Sequence, residues 1–143
     1  YTEDNLSYVE NMFSLKGRVA AVIGGGGVLA GAMAQGLAKA GADIAILDLS
    51  VENAEKMAQA CRDLSVKAIA VPVDATSKQG LIDAEAKVSA ELGVVDVLIN
   101  APGINSSTPF FEITEQEWDK IIQVNLKSIF DFFLRAVRAP DLS

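Results

Sequence analysis

The chain has 143 residues, half of them hydrophobic, which suits one domain with a core of its own and argues against disorder. It carries 12 Lys and Arg against 19 Asp and Glu, a formal net charge of −7, which argues against a nucleic-acid or anionic-membrane surface. Histidine is absent and Cys61 is the single cysteine, so this stretch excludes a His-based triad, a His-based zinc site and an internal disulfide framework.

Residues 1–12 are polar and aperiodic and read as an arm or a helical extension ahead of a domain at 13–143. Glu3, Asp4 and Glu10 stand where a signal peptide needs a positive n-region. The longest stretch without a polar residue, Val19–Ala34, has 16 residues, five of them glycine. That is short of the ~20 a membrane helix needs. A soluble cytoplasmic protein is the expectation, with no membrane and no nucleic-acid partner. Phe13 and Leu15 are placed to tuck under the first strand, with Lys16-Gly17 as the turn into it.

Val19–Ile23 reads as a central parallel strand, apolar on both faces. It runs into four glycines, Gly24 to Gly27, and then a helix over about Val28–Ala40. That helix carries Leu29, Met33 and Leu37 at spacing four, beside a small face of Ala30, Ala34 and Ala38, and Gly41 stops it. Ile44–Leu49 is the second strand and contains Asp48. Strand, glycine turn, helix, strand and acid form the layout of a dinucleotide-binding βαβ unit. A strand that turns straight into a helix needs backbone angles that only glycine adopts cheaply. A pyrophosphate must also approach the helix N-terminus, where free N–H groups and the macrodipole favour negative charge. Asp48 lies 24 residues after Gly24, near the roughly 20 expected of an acid that accepts from both ribose hydroxyls. A carboxylate there repels a 2′-phosphate, and Leu49 and Ser50 offer no arginine to hold one, so NAD is read over NADP. The glycine pattern is imperfect: Gly25-x-Gly27-x-x-Ala30 fits, whereas Gly24-x-Gly26-x-x leads to Leu29. A tight turn in an ordinary α/β protein is the competing reading of the glycines alone.

Ser50 caps a helix over 51–64, with Ala54, Met57, Ala58 and Cys61 inward. Lys67–Asp74 is the third strand, and Pro72 assigns it to an edge. Ser77–Leu92 is a helix with Leu81, Ala84, Val88 and Leu92 as its stripe, closed by Gly93. Val95–Ile99 is the fourth strand, ending on Asn100-Ala101-Pro102-Gly103. A polar loop runs to Ile113, and Ile104 to Phe110 is a candidate substrate wall on position alone. Thr114 and Glu117 then form a capping box. The helix they open carries Trp118, Ile122, Leu126, Ile129, Phe133 and Val137 on one apolar face, and Pro140 ends it. The alternation predicts an α/β fold, a Rossmann-type doubly wound parallel sheet in the order 3-2-1-4.

Ligands of such sheets bind at the carboxyl ends of the strands, where the glycines, Asp48, Asp74 and Asn100 to Gly103 fall. Asp74 reads either as an acceptor for an adenine amino group or as a turn-forming Asp. Asn100 reads either as a brace between strand ends whose loop backbone meets a ribose, or as an Asx turn. Asn125 projects onto the middle of the apolar face at 100° per residue. It is either a satisfied core Asn or helix kink, or a polar group held near an active site through water.

From Phe13 to Phe130 the chain resembles the short-chain dehydrogenase/reductases. FSLKGRVA, the glycine turn, ILDL, VDAT, VDVLINAPGIN and IIQVNLKSIF fall in the family's order and spacing. The resemblance implies NAD held by Gly24, Gly25, Gly26, Gly27, Val28, Leu29, Asp48, Leu49, Asp74, Ala75, Asn100, Ala101, Pro102 and Gly103. It implies that Asn125 is the asparagine of the catalytic tetrad, holding a water in a proton relay, and that the protein is a dimer or tetramer. The threonine and the last two glycines of the family's turn are here Ile23, Val28 and Ala30, and Ala101-Pro102 replaces the usual Asn-Ala. GGGGVL followed by small residues looks like the turn of the mannonate and fructuronate oxidoreductases, which points to a sugar acid. The family's later serine and Tyr-x-x-x-Lys do not occur in this stretch, whose only tyrosines are Tyr1 and Tyr8. The expectation is the N-terminal, cofactor-binding part of a longer alcohol/ketone oxidoreductase, incomplete at its C-terminus and inactive alone. The rival expectation is a non-catalytic nucleotide-binding or interaction module.

Overall fold

The computed structural model describes residues 7–130. In it, β1 (Val19–Ile23), β2 (Asp43–Asp48), β3 (Ala68–Pro72) and β4 (Val97–Asn100) form one parallel sheet in the order β3-β2-β1-β4. Between them run α2 (Val28–Lys39), α3 (Val51–Arg62) and α4 (Lys78–Glu91). A short helix, α1 (Ser7–Phe13), precedes the sheet. A 3-10 turn at Phe110–Glu112 and helix α5 (Glu115–Ile122) follow β4.

The strands are sorted by their period of two. Ala20, Val22, Ile44 and Ile46 face one core, closed by Ala30, Ala34 and Ala38 of α2 and by Ala54, Ala58 and Cys61 of α3. Val19, Ala21, Ile23, Ala45 and Leu47 face the opposite core, closed by Leu81, Ala84 and Val88 of α4. Both faces of β1 are therefore covered, and all five of its residues are buried. Each fully buried Val, Leu or Ile contributes roughly 1.5–3 kcal/mol. Burial also pushes the Cys61 thiol up, which keeps it protonated and unreactive.

The face of α2 that meets the sheet is the small one. Leu29 and Met33 point outward and are exposed, because only alanine and glycine let this helix approach both the strands and α3. A Cβ on Gly31 would run into the side chain of Met57, which shows how close α2 and α3 lie. Ser50 and Ser77 cap α3 and α4, accepting from Asn53 and Gly80 backbone N–H groups.

Several boundaries differ from expectation. Strand β3 stops at Pro72, paired with Asp48, so Asp74 lies beyond the strand rather than ending it. Strand β4 begins at Val97, because Asp96 spends its carboxylate on the start of β1. Leu15 packs on the core, but Phe13 is exposed on α1 and does not tuck under β1. The capping box is half made: Thr114 accepts from the Glu117 N–H, but the Glu117 carboxylate turns toward the preceding loop. Residues 1–6 of the expected arm, and the helix positions Phe133, Val137 and Pro140, lie outside the described residues.

Candidate functional site

The glycine turn is folded on its own backbone. The Gly24 N–H donates to the carbonyl of Leu47 (2.7 Å) and the Gly27 N–H to the carbonyl of Gly24 (3.0 Å). Gly24 has φ +72°, and a Cβ there would stand 2.9 Å from the carbonyl oxygen of Ala101. The turn thus brings β1 against the loop after β4. Gly27 is the N-cap of α2 and offers no side chain, so the first N–H groups of that helix are uncapped.

Asp48 closes the other side of the turn. Its Oδ2 accepts from the Gly26 N–H and its Oδ1 from the Ser50 N–H, both at 2.9 Å. A Cβ on Gly26 would lie 2.7 Å from the Cβ of Asn53 and 2.9 Å from Asp48 Oδ2. Only glycine lets this carboxylate sit so near the turn. Each oxygen keeps a lone pair for a further donor.

Asp74 accepts at one oxygen from both the backbone N–H (2.8 Å) and the hydroxyl (2.7 Å) of Thr76. The Thr76 hydroxyl first, and its N–H second, hold the Asp74 carboxyl below the usual range. The second oxygen has no partner among the described residues. Asn100 makes neither an Asx turn nor a side-chain brace. Its backbone pairs with Ile23, while both side-chain polar atoms are buried without a partner among the described residues.

Asn125 is not in the middle of an apolar face. Helix α5 continues into a π-helical turn, Gln123–Lys127. A π turn advances each residue by less than an α-helix does, so the projection made at 100° fails there. The residue is exposed and faces the loop after β4. Its Oδ1 accepts from the Ile104 N–H (2.8 Å) and its Nδ2 donates to the Ile104 carbonyl (2.9 Å). One side chain satisfies both backbone groups of one loop residue.

These parts surround one cleft of about 590 Å³, within the size range of a small-molecule site. Gly24, Gly27, Asp48 and Leu49 line one side. Asp74, Ala75, Ala101, Pro102 and Gly103 line the next. Gly25, Gly26, Val28, Leu29, Asn100 and Asn125 are not on its wall. Gly25 and Gly26 lie behind it, against Val22 and Asp48, and Val28 and Leu29 are exposed on α2.

The family model for short chain dehydrogenases matches residues 18–139. This chain is a short-chain dehydrogenase family member. Relatives agree with the match. The 5-keto-D-gluconate 5-reductase of Escherichia coli strain K12 is 34% identical over 85% of this chain and 48% of its own length. The D-threitol dehydrogenase of Mycolicibacterium smegmatis is 38% identical over 82% of this chain and 45% of its own. A crystal structure of NAD⁺-bound xylitol dehydrogenase superposes with a TM-score of 0.80 at 30% identity, over 85% of this chain and 47% of that one. The chain spans about half the length of these relatives.

Seven residues of the wall were not among the expected site residues: the strand and strand-end residues Ile23, Leu47 and Val73, and the polar or helical Asn53, Thr76, Lys120 and Val124. Thr76 was findable, since it stands two residues after Asp74, where an Asx-type bond forms. Val124 adjoins Asn125. Asn53 stands at the N3 position of α3, its N–H donating to the Ser50 hydroxyl, and Lys120 carries no local signal.

Proposed function

We propose that this chain is the cofactor-binding part of an NAD(H)-dependent oxidoreductase that interconverts an alcohol and a ketone on a small polyol, sugar acid or related carbonyl compound. The observation that carries the reading is the meeting, in one cleft, of an uncapped helix N-terminus, a glycine turn and two carboxylates, one ending β2 and one just past β3. These residues fit a dinucleotide. The α2 N-terminus suits a pyrophosphate, because its N–H groups and dipole favour an anion. The Cβ that Gly24 lacks would crowd the loop closing that end of the cleft. Asp48 is assigned to the adenosine ribose through its remaining lone pairs, and Asp74 to the adenine amino group through its unpartnered oxygen. Leu49, Ala75, Ala101, Pro102 and Gly103 supply walls. Among the described residues Lys120 is the one cationic side chain on the wall, and no arginine joins it to receive a 2′-phosphate, which supports NAD over NADP.

When bound, the nicotinamide accepts or returns a hydride at the alcohol carbon. From this chain, Asn125 is assigned to the catalytic centre. Its second amide hydrogen and the second lone pair of Oδ1 are open to a water in a proton relay. The Tyr-x-x-x-Lys pair that moves the proton in this reading does not occur in these 143 residues, and the stretch alone is read as inactive. The substrate class rests on relatives that act on D-threitol and 5-keto-D-gluconate. A homo-oligomer and a cytoplasmic location go with it.

The test is titration of the protein with NADH and NADPH, followed by fluorescence. Wild type is expected to bind NADH more tightly than NADPH. Asp48→Asn is expected to weaken NADH by about tenfold to a hundredfold, the value of one or two hydrogen bonds to a charged group. Tighter binding of NADPH by the wild type, or no saturable NADH binding, overturns the reading.

A further inference from the structure

Helix α5 reaches back to the loop after β4 at two places. Asn125 takes both backbone groups of Ile104. Nearly two turns earlier, one oxygen of the Glu117 carboxylate accepts from the hydroxyls of Ser106 and of Thr108, the latter at 2.8 Å. The Ser106 hydroxyl oxygen also accepts from the Thr108 N–H at 2.9 Å, which closes the network. Glu117 stands at the N3 position, from which a glutamate ordinarily returns to the cap residue. Here it leaves that bond unmade and serves the loop. Helix α5 has no fully buried side chain, and these hydrogen bonds tie the loop to it. Ile104, Lys120 and Val124 all stand on the wall of the cleft, so the helix and the loop enclose one side of it together.

We propose that Glu117 is a positioning residue that, through Ser106 and Thr108, fixes the 104–108 loop as the substrate-facing wall of the cleft. The proposal rests on the oxidoreductase reading for the word substrate, and on the hydrogen-bond network alone for the fixing of the loop. Glu117 touches no reacting atom. It sets where the loop stands, and therefore which carbonyl compounds fit beside the nicotinamide.

The test uses the full-length protein with NADH and 5-keto-D-gluconate, and hydrogen exchange over residues 104–110. Glu117→Ala is expected to raise KM for the keto acid about tenfold, as the loss of a hydrogen bond to a charged group predicts, with kcat and the NADH Kd near wild type. Exchange over 104–110 is expected to quicken. Glu117→Gln keeps an acceptor oxygen for both hydroxyls and is expected to restore most of the KM. Thr114→Ala, which removes the helix cap and leaves the loop network in place, is expected to lower stability without raising KM. Should Glu117→Ala fail to fold, the pair Ser106→Ala and Thr108→Val removes the same donors and is read in the same way. Wild-type KM and exchange in Glu117→Ala, or a fall in kcat with KM unchanged, overturns the proposal. If wild type neither binds NADH nor turns over the keto acid, the oxidoreductase reading fails. The exchange result then stands alone: quickened exchange keeps the loop lock, and unchanged exchange removes it.

Discussion

Gly24 and Gly17 both have positive φ, +72° and +79°, but their surroundings differ. Nothing lies within 4 Å of a Cβ built on Gly17, whereas one on Gly24 meets the Ala101 carbonyl. Gly17→Ala is expected to cost about 1–2 kcal/mol, the penalty of the left-handed region. Gly24→Ala is expected to cost more in a urea melt and to weaken NADH binding as well. Equal costs would show that the close approach to Ala101 carries no weight. Asp96 makes a second residue-scale case. It accepts from the Val19 N–H at 2.9 Å and from Arg18 at 2.7 Å, and the Val19 N–H first, then Arg18, hold its carboxyl below the usual range. A carboxyl depressed in the folded state adds stability above its ordinary range and loses it as pH falls through the folded value. The melting temperature of wild type is therefore expected to fall further between about pH 6 and about pH 3 than that of Asp96→Asn. Asp74 and Glu117 are depressed in the same direction, but they are present in both proteins and drop out of the comparison. Gly24 stood out in the sequence because four glycines follow a strand. Asp96 did not, because its partners are 77 and 78 positions away.

Among the elements, α2 shows why a spacing of four is not enough to choose a buried face. Leu29, Met33 and Leu37 share that spacing with Ala30, Ala34 and Ala38, and the alanines face the sheet. Distance is the reason: α2 must meet both the sheet and α3, and larger side chains would hold it away. Ala34→Leu is expected to destabilise by roughly 1–3 kcal/mol through overpacking. Met33→Ala is expected to stay within about 0.5 kcal/mol, as surface changes do. Comparable losses in denaturant melts would mean that the helix can rotate to present either face. In α5 the periodicity fails for another reason. The π turn at Gln123–Lys127 shifts the angular register midway, which takes Asn125 off the apolar face and onto Ile104.

For the molecule as a whole, helices cover both faces of β1 and β2, whereas α5 has no buried residue. Trp118, Leu126 and Phe130 are each more than half exposed, with Ile122 and Ile129 beside them. An apolar strip of this kind on a soluble surface favours a partner. Light scattering on the full-length protein is expected to give a dimer or tetramer, and Leu126→Glu to shift it toward the monomer. A monomeric wild type would remove the expectation. Net charge belongs to the same scale: the chain carries a surplus of acids, and among the described residues the cleft wall has two carboxylates and one ammonium.

Residue order alone was enough for the sheet, its order and the placing of Asp48 and Asp74 near one end of it. Those follow from strand length, the period of two, Pro72 at an edge and the rule that parallel crossovers are right-handed. Such signals are local, or nearly so, and a single sequence displays them. The partners of Asp96, Glu117 and Asn125 were beyond its reach. Each reaches across a loop or the sheet to atoms that no spacing identifies, and Lys120 joins the cleft only because α5 folds back toward the glycine turn. Which side of α2 is buried, which half of the capping box forms and where the helix loosens into a π turn are settled by contact, once the neighbours of each residue are in place.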